Sequence, residues 1–257
     1  MLKPHMKITM SNKYVEVTQL SFIPCMNRTS SGGRKPYPNQ STEDYENNKK
    51  VAINRARKNI RRYLECNFTD RYAFLTLTFK SSQDIDVTNL NSCQQAFIDF
   101  KKRLAYYLQK NDLSKFEYLG VTEFQDKNRG GAIHYHLVCN LIDIPSEVIQ
   151  ELWQYGGINR EIIQSDAHGN ERITNYIKKG ITDDRLNSGH RFFHSRGLKT
   201  PISITVEDSE DFYNLLDKCQ PTLLHSAEYQ TPMFGEIKQE DYYVKNPKEL
   251  MNYVQEL

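Results

Sequence analysis

The sequence predicts an α+β domain in which helices pack on an antiparallel sheet. Three observations point there. Tyr72-Ala73-Phe74-Leu75-Thr76-Leu77-Thr78-Phe79 is a β-branched and aromatic run of the kind that forms a central strand. Two more strand-like runs, 116–125 and 133–141, are separated only by the loop DKNRGGA, which makes them a hairpin. Helical periodicity flanks both features. With 257 residues the chain can bury one sizeable core and a small second unit. Its 38% hydrophobic and 26% charged residues exclude wholesale disorder and fibrous architectures.

The elements follow in order. Residues 13–23 (KYVEVTQLSFI) alternate like a strand, and the Ser-, Gly-, Pro- and Asn-rich stretch after them reads as a long flexible linker to about residue 48. Residues 49–66 turn helical, with Val51, Ile53, Ala56, Ile60 and Leu64 on one broad face. After the 72–79 strand, residues 94–110 space their apolar side chains as an amphipathic helix. Pro145 opens a helix that stops at Gly156-Gly157, INREIIQ is strand-like, and a last helix covers roughly 171–181. The expected organisation is an N-terminal strand and linker (1–48), a principal domain (49–200) and an acidic C-terminal extension (201–257), whose ISITV and DSEDFYNLLDKC pieces read as strand and helix.

Charge and cysteines narrow the partners and the compartment. Residues 1–200 hold 30 Lys and Arg against 21 Asp and Glu, whereas residues 201–257 hold 4 against 11. The first part is therefore the part suited to a polyanion. Arg55, Arg57, Lys58, Arg61 and Arg62 crowd one helix, either as a solvated face or as phosphate contacts. No apolar stretch nears the ~18 residues of a membrane helix, and the N-terminus lacks a signal peptide's apolar core. Five scattered cysteines without a CxxC pair fit a reducing, cytoplasmic setting rather than a disulfide framework.

The chemistry concentrates in two places. His134 and His136 are one residue apart on a strand, so both imidazoles project from one face while Ile133, Tyr135 and Leu137 take the other. Glu123, flanked by Val121 and Phe124 on the preceding strand, falls broadly across from them. Two imidazoles and a carboxylate suit a divalent ion that acts on phosphate oxygens; the alternative is a surface-facing Glu on an amphipathic strand. On the last helix, Tyr176 and Lys179 share a face, and a tyrosine hydroxyl becomes a covalent nucleophile when a cation or metal stabilises the phenolate.

In this order, the Thr-containing strand, His134-Tyr135-His136 and Tyr176-Ile177-Lys178-Lys179 resemble the three motifs of the HUH endonucleases. Within that superfamily the likeness is to the rolling-circle replication initiator (Rep) proteins of small plasmids and single-stranded DNA phages. Leu152-Trp153-Gln154-Tyr155-Gly156 resembles that family's following helix end, and Ser195-Arg196-Gly197-Leu198-Lys199-Thr200-Pro201 its closing segment. The resemblance implies a ferredoxin-like HUH domain whose central sheet presents Mg2+ or Mn2+ through His134, His136 and Glu123. It also implies attack by Tyr176 on single-stranded or hairpin origin DNA, with Lys179 orienting the phosphate and a polymerase extending the freed 3′-hydroxyl. Relatives with two tyrosines carry the second four residues on, where this chain has Gly180, so termination needs a homo-oligomer's second subunit or another group. The acidic segment is open to packing as an extension or to recruiting a helicase or another copy. The competing readings are a non-catalytic nucleic-acid-binding protein and, within the HUH class, a transposase.

Overall fold

The computed structural model describes residues 5–21, 41–82, 85–165, 171–177, 180–186, 190–207, 210–231 and 235–256. Its elements are β1 (His5–Ser11), β2 (Tyr14–Leu20), α1 (Thr42–Asn67), β3 (Arg71–Thr78), α2 (Leu90–Lys110), β4 (Tyr118–Gln125), α3 (Asp126–Arg129) and β5 (Ala132–Cys139). There follow α4 (Ser146–Trp153), β6 (Ile158–Gln164), α5 (Glu171–Ile177), β7 (Phe193–His194), β8 (Ile202–Glu207), α6 (Glu210–Lys218), β9 (Pro221–Thr231), β10 (Gly235–Val244) and α7 (Lys248–Glu256). Short 3-10 turns lie at Gly180–Thr182 and Asp184–Leu186. The fold is α+β, as the sequence predicts. None of the described helices is long and apolar enough to cross a membrane.

The chain forms two compact units, Lys49–Lys199 and a second made of 1–48 together with 200–257. In the first, the sheet order is β6-β3-β5-β4-β7, with every neighbouring pair antiparallel. The run β3-α2-β4-β5-α4-β6 with its first strand between its fourth and third is the ferredoxin-like arrangement, and β7 adds an edge strand. Alternation along the strands separates two cores. Ala73, Leu75, Leu77, Ile133, Tyr135 and Leu137 face α2 and α4, where Phe97, Phe100, Leu104 and Trp153 complete the larger one. Phe74, Leu119, Val121 and Val138 face the other way, against Ala56, Ile60 and Leu64 of α1 and Ile173 and Ile177 of α5.

In the second unit the sheet order is β8-β1-β2-β10-β9. Asn12, at φ 56°, turns the β1–β2 hairpin. Met6, Ile8, Met10, Val15 and Val17 point to one face, which Phe212, Leu216, Leu250 and Val254 of α6 and α7 cover. On the other, the Tyr14 hydroxyl donates to Asp241 at 2.7 Å.

Several sequence expectations are corrected. The segments read separately as an N-terminal strand with linker and a C-terminal extension share one sheet, because β1 pairs with β8 and β2 with β10. Helix α1 begins at Thr42, not 49, and residues 22–40 of the expected linker lie outside the described residues. Its buried face is Ala56, Ile60 and Leu64, whereas Val51 is exposed. The last helix of the first unit ends at Ile177 rather than 181. The hairpin loop is not a plain turn: α3 makes one helical turn there, closed by Gly130 and Gly131 in the left-handed region.

Candidate metal and nucleophile site

The site lies on the half of the first unit's sheet that α1 and α5 leave polar. Cross-strand register sets its membership, because directly opposed residues share a face. His134 stands between Thr78 on β3 and Glu123 on β4, and His136 between Thr76 and Val121. Toward the other end of the same strands Phe74, Val138 and Leu119 take over, and the face becomes apolar and helix-covered. One sheet face thus anchors a helix at one end and holds titratable groups at the other.

His136 is the hub. Its Nε2 is 2.6 Å from Glu123 Oε2, and its Nδ1 is 3.0 Å from Thr76 Oγ1. A hydroxyl can both donate and accept, so Thr76 serves either tautomer: when Nε2 is free to ligate, Nδ1–H donates to the threonine. Phe74 stacks on the imidazole, with ring centroids 5.7 Å apart and planes 3° from parallel. His136 is buried, whereas the Glu123 side chain is 40% exposed and open to a ligand from solvent.

His134 is held differently. Its Nε2 is 3.2 Å from Arg129 Nη1, and the same guanidinium donates to the Phe79 carbonyl at 2.8 Å. Burial, then the neighbouring Arg129 and His136 charges, push its pKa down to about 4 against the opposing pull of Glu123. The ring is therefore neutral at pH 7 and keeps a lone pair on the nitrogen that faces the guanidinium.

The end of β3 is latched beside these groups by Leu152-Trp153-Gln154-Tyr155-Gly156. Trp153 Nε1 donates to the Thr78 carbonyl at 2.8 Å, and Lys80 N donates to Tyr155 O at 2.8 Å. Gly156 comes so close to the Thr78 and Phe79 backbone that a Cβ would collide with it. This packing requires glycine at the helix end.

Tyr176 reaches the same cluster from α5. Its ring meets Phe74 edge-on with centroids 5.3 Å apart, and His136 edge-on at 5.9 Å. The ring is 49% exposed, unusual for a tyrosine packed on two other rings and open to an incoming strand. Lys179 lies outside the described residues. Gly180 does not: a Cβ there would sit 2.8 Å from the Thr122 carbonyl oxygen, so the position that holds a second tyrosine in two-tyrosine relatives is sterically closed. Beyond it, Arg185 forks onto Asp126 at 2.9 and 2.8 Å and pairs with Asp183, tying the segment after the tyrosine to the histidine hairpin.

The donor set fits a divalent ion in type and face: two imidazoles, one held neutral at pH 7, and a reachable carboxylate. It is not assembled into a cage. Among the described residues no group of three or more His, Cys, Asp and Glu has metal-holding geometry, and Arg129 occupies the approach to His134. Of the five basic α1 residues, Arg55 and Lys58 are exposed and Arg57, Arg61 and Arg62 half-buried; the helix packs on the site's face of the sheet through Ala56, Ile60 and Leu64. Sequence reasoning missed Arg129, which it took for a turn residue, and Thr76 and Phe74, whose alternation with His136's neighbours was the available signal.

Residues 72–181 match a family of replication-associated proteins, the one typified by ORF2. The matched span runs from β3 through α5 and contains Phe74, Thr76, Glu123, Arg129, both histidines and Tyr176. No curated protein and no solved structure matches the chain. The match supports a Rep-type replication initiator.

Proposed function

We propose that the chain initiates rolling-circle replication by nicking origin DNA with Tyr176. The observation that carries this reading is the single cluster in which the half-exposed Tyr176 ring abuts His136 while His136 contacts Glu123. His134, His136 and Glu123 would hold Mg2+ or Mn2+ once Arg129 swings off His134. The ion, when bound, supplies positive charge that polarises the scissile phosphate. Thr76 and Phe74 fix the His136 ring, and the Phe74 and His136 edges fix the direction of the tyrosine. The Tyr176 oxygen then bonds to phosphorus as its proton passes to solvent. The bond from phosphorus to the 3′ oxygen breaks, that oxygen takes up a proton, and a 5′-phosphotyrosine and a 3′-hydroxyl result. Rejoining is the reverse exchange, and because Gly180 closes the neighbouring position, the second nucleophile comes from a second subunit or another group.

A second reading has one observation in its favour. The Arg129–His134 contact satisfies that histidine without a metal, as a non-catalytic DNA-binding protein would require. One experiment separates them. Wild type incubated with Mn2+ and single-stranded DNA carrying the replicon's origin should give a denaturant-resistant adduct whose phosphate maps to Tyr176; chelator or Tyr176→Phe should abolish it while DNA binding persists. An adduct on another residue, or one that survives in the Phe variant, overturns the assignment, and binding without any adduct selects the second reading.

A further inference from the structure

Away from the histidine cluster, the β4–β7 edge of the same unit carries a groove of about 590 Å³. Lys101 from α2, Lys115 before β4 and Arg196 after β7 converge on it, over a floor where the Phe116 and Tyr118 rings stack with centroids 4.7 Å apart. None of the three cations is ion-paired among the described residues, and the one acid on the rim, Glu117, is exposed. The Lys101 ammonium donates to the Tyr118 hydroxyl at 3.2 Å and sits against the Phe97 and Tyr118 rings. Burial and then the Arg196 charge lower its pKa, so two like charges are held together in a partly desolvated place. That arrangement is costly alone and is relieved by an anion. Beside Arg196, Gly197 has φ +87° and nothing within 4 Å of where a Cβ would stand, leaving bare backbone open to close approach. The neighbouring Ser195 hydroxyl is already used, accepting from Tyr118 N at 3.1 Å, and it pins the segment to the sheet.

We propose that this groove is a second phosphate-binding site that grips the backbone of the DNA arm flanking the nick. The inference rests on the nicking reading for what the arm flanks, but the groove's affinity for phosphate backbone does not. Tyr118 begins β4 and Glu123 nearly ends it, five residues on, so the two sites are about 17 Å apart along the strand. They also lie on opposite faces, since Tyr118 belongs to the α2 side and the histidines to the α1 side. A few nucleotides centred on the nick fill only the first site; a longer arm that rounds the β7 edge reaches the second.

The test measures the salt dependence of binding to a fluorescently labelled DNA duplex of arbitrary sequence. Lys101→Gln/Arg196→Gln should lower the slope of log K against log salt by about two units, one per lost phosphate contact. Lys102→Gln/Lys110→Gln, which removes the same charge from α2 outside the groove, should leave it near wild type. Lys101→Arg/Arg196→Lys should restore it, and unchanged near-ultraviolet circular dichroism guards against misfolding. If Lys101 proves necessary for packing, Lys115→Gln alone, at an exposed position, should still remove about one unit. Equal slopes for the groove and control variants overturn the proposal. The covalent adduct on a short single-stranded oligonucleotide spanning the nick is scored in parallel and should be unchanged. No adduct even in wild type would defeat the nicking reading while the slopes still judge the groove.

Discussion

His136 sits between a hydroxyl and a carboxylate, and that position makes Thr76 as informative as the histidine. Thr76→Val keeps the strand's shape and removes the oxygen that accepts from Nδ1. Loss of such an outer partner typically costs ~10–100-fold in metal affinity or activity. The expected outcome is a comparable rise in the Mn2+ concentration that half-saturates adduct formation, with an unchanged melting temperature; an unchanged Mn2+ requirement would remove Thr76 from the site. His134→Ala and His136→Ala should abolish the adduct outright, and cleavage that continues in chelator would remove the metal. The cysteines give a prediction independent of function. Burial pushes the Cys93 and Cys139 thiols up to about 12, so neither is a thiolate at pH 8, and Cys219 is buried with its pKa also raised. Native labelling with a thiol reagent should modify the partly exposed Cys66 and spare these three until denaturant is added, as peptide mapping would read.

At the scale of elements, the turn after α5 is held by contact that only glycine permits. Gly180→Ala forces a Cβ to within 2.8 Å of the Thr122 carbonyl, and overpacking of this kind costs about 1–3 kcal/mol. A drop of several degrees in melting temperature is expected. Gly180→Tyr should be worse and should supply no second nucleophile; a stable Tyr variant that forms two adducts would show the position to be open. For α1, replacing Arg55 and Lys58, both exposed, should flatten the salt dependence of DNA binding by about one unit per residue if they touch phosphates, and an unchanged slope returns them to a solvated face. The hairpin and the helices of this unit were legible because both their faces are buried or chemically marked: β5 has no exposed residue, and its alternation sorts histidines from core without ambiguity. β9 was illegible for the converse reason. It is an edge strand, exposed at most positions, so nothing imposes an apolar alternation on PTLLHSAEYQT. Arg129 was illegible because its partners, His134 and the Phe79 carbonyl, are brought to it by the sheet and not by neighbouring sequence.

In the whole molecule, the histidine-bearing unit is an insertion into the other one. β1 lies between β2 and β8, and β2 between β1 and β10, so the N-terminal hairpin has no sheet without residues beyond 200. Removing residues 200–257 should leave Met6, Ile8, Met10, Val15 and Val17 without the α6 and α7 side chains that cover them. The truncated chain should bind a hydrophobic dye and lose strand signal, while its remaining cooperative melting transition reports the Lys49–Lys199 unit. A shortened chain without dye binding would contradict the shared sheet. The interlocked ends also set an order of events on the ribosome. At ~5–20 residues per second, β1 and β2 emerge roughly ten to forty-five seconds before β10 exists to pair with them, a wait long enough for the inserted unit to fold completely. Through that interval the nascent chain trails an unpaired, Met- and Val-rich hairpin. The DNA-cutting half of the protein is thus finished while the other half is still a client for chaperones.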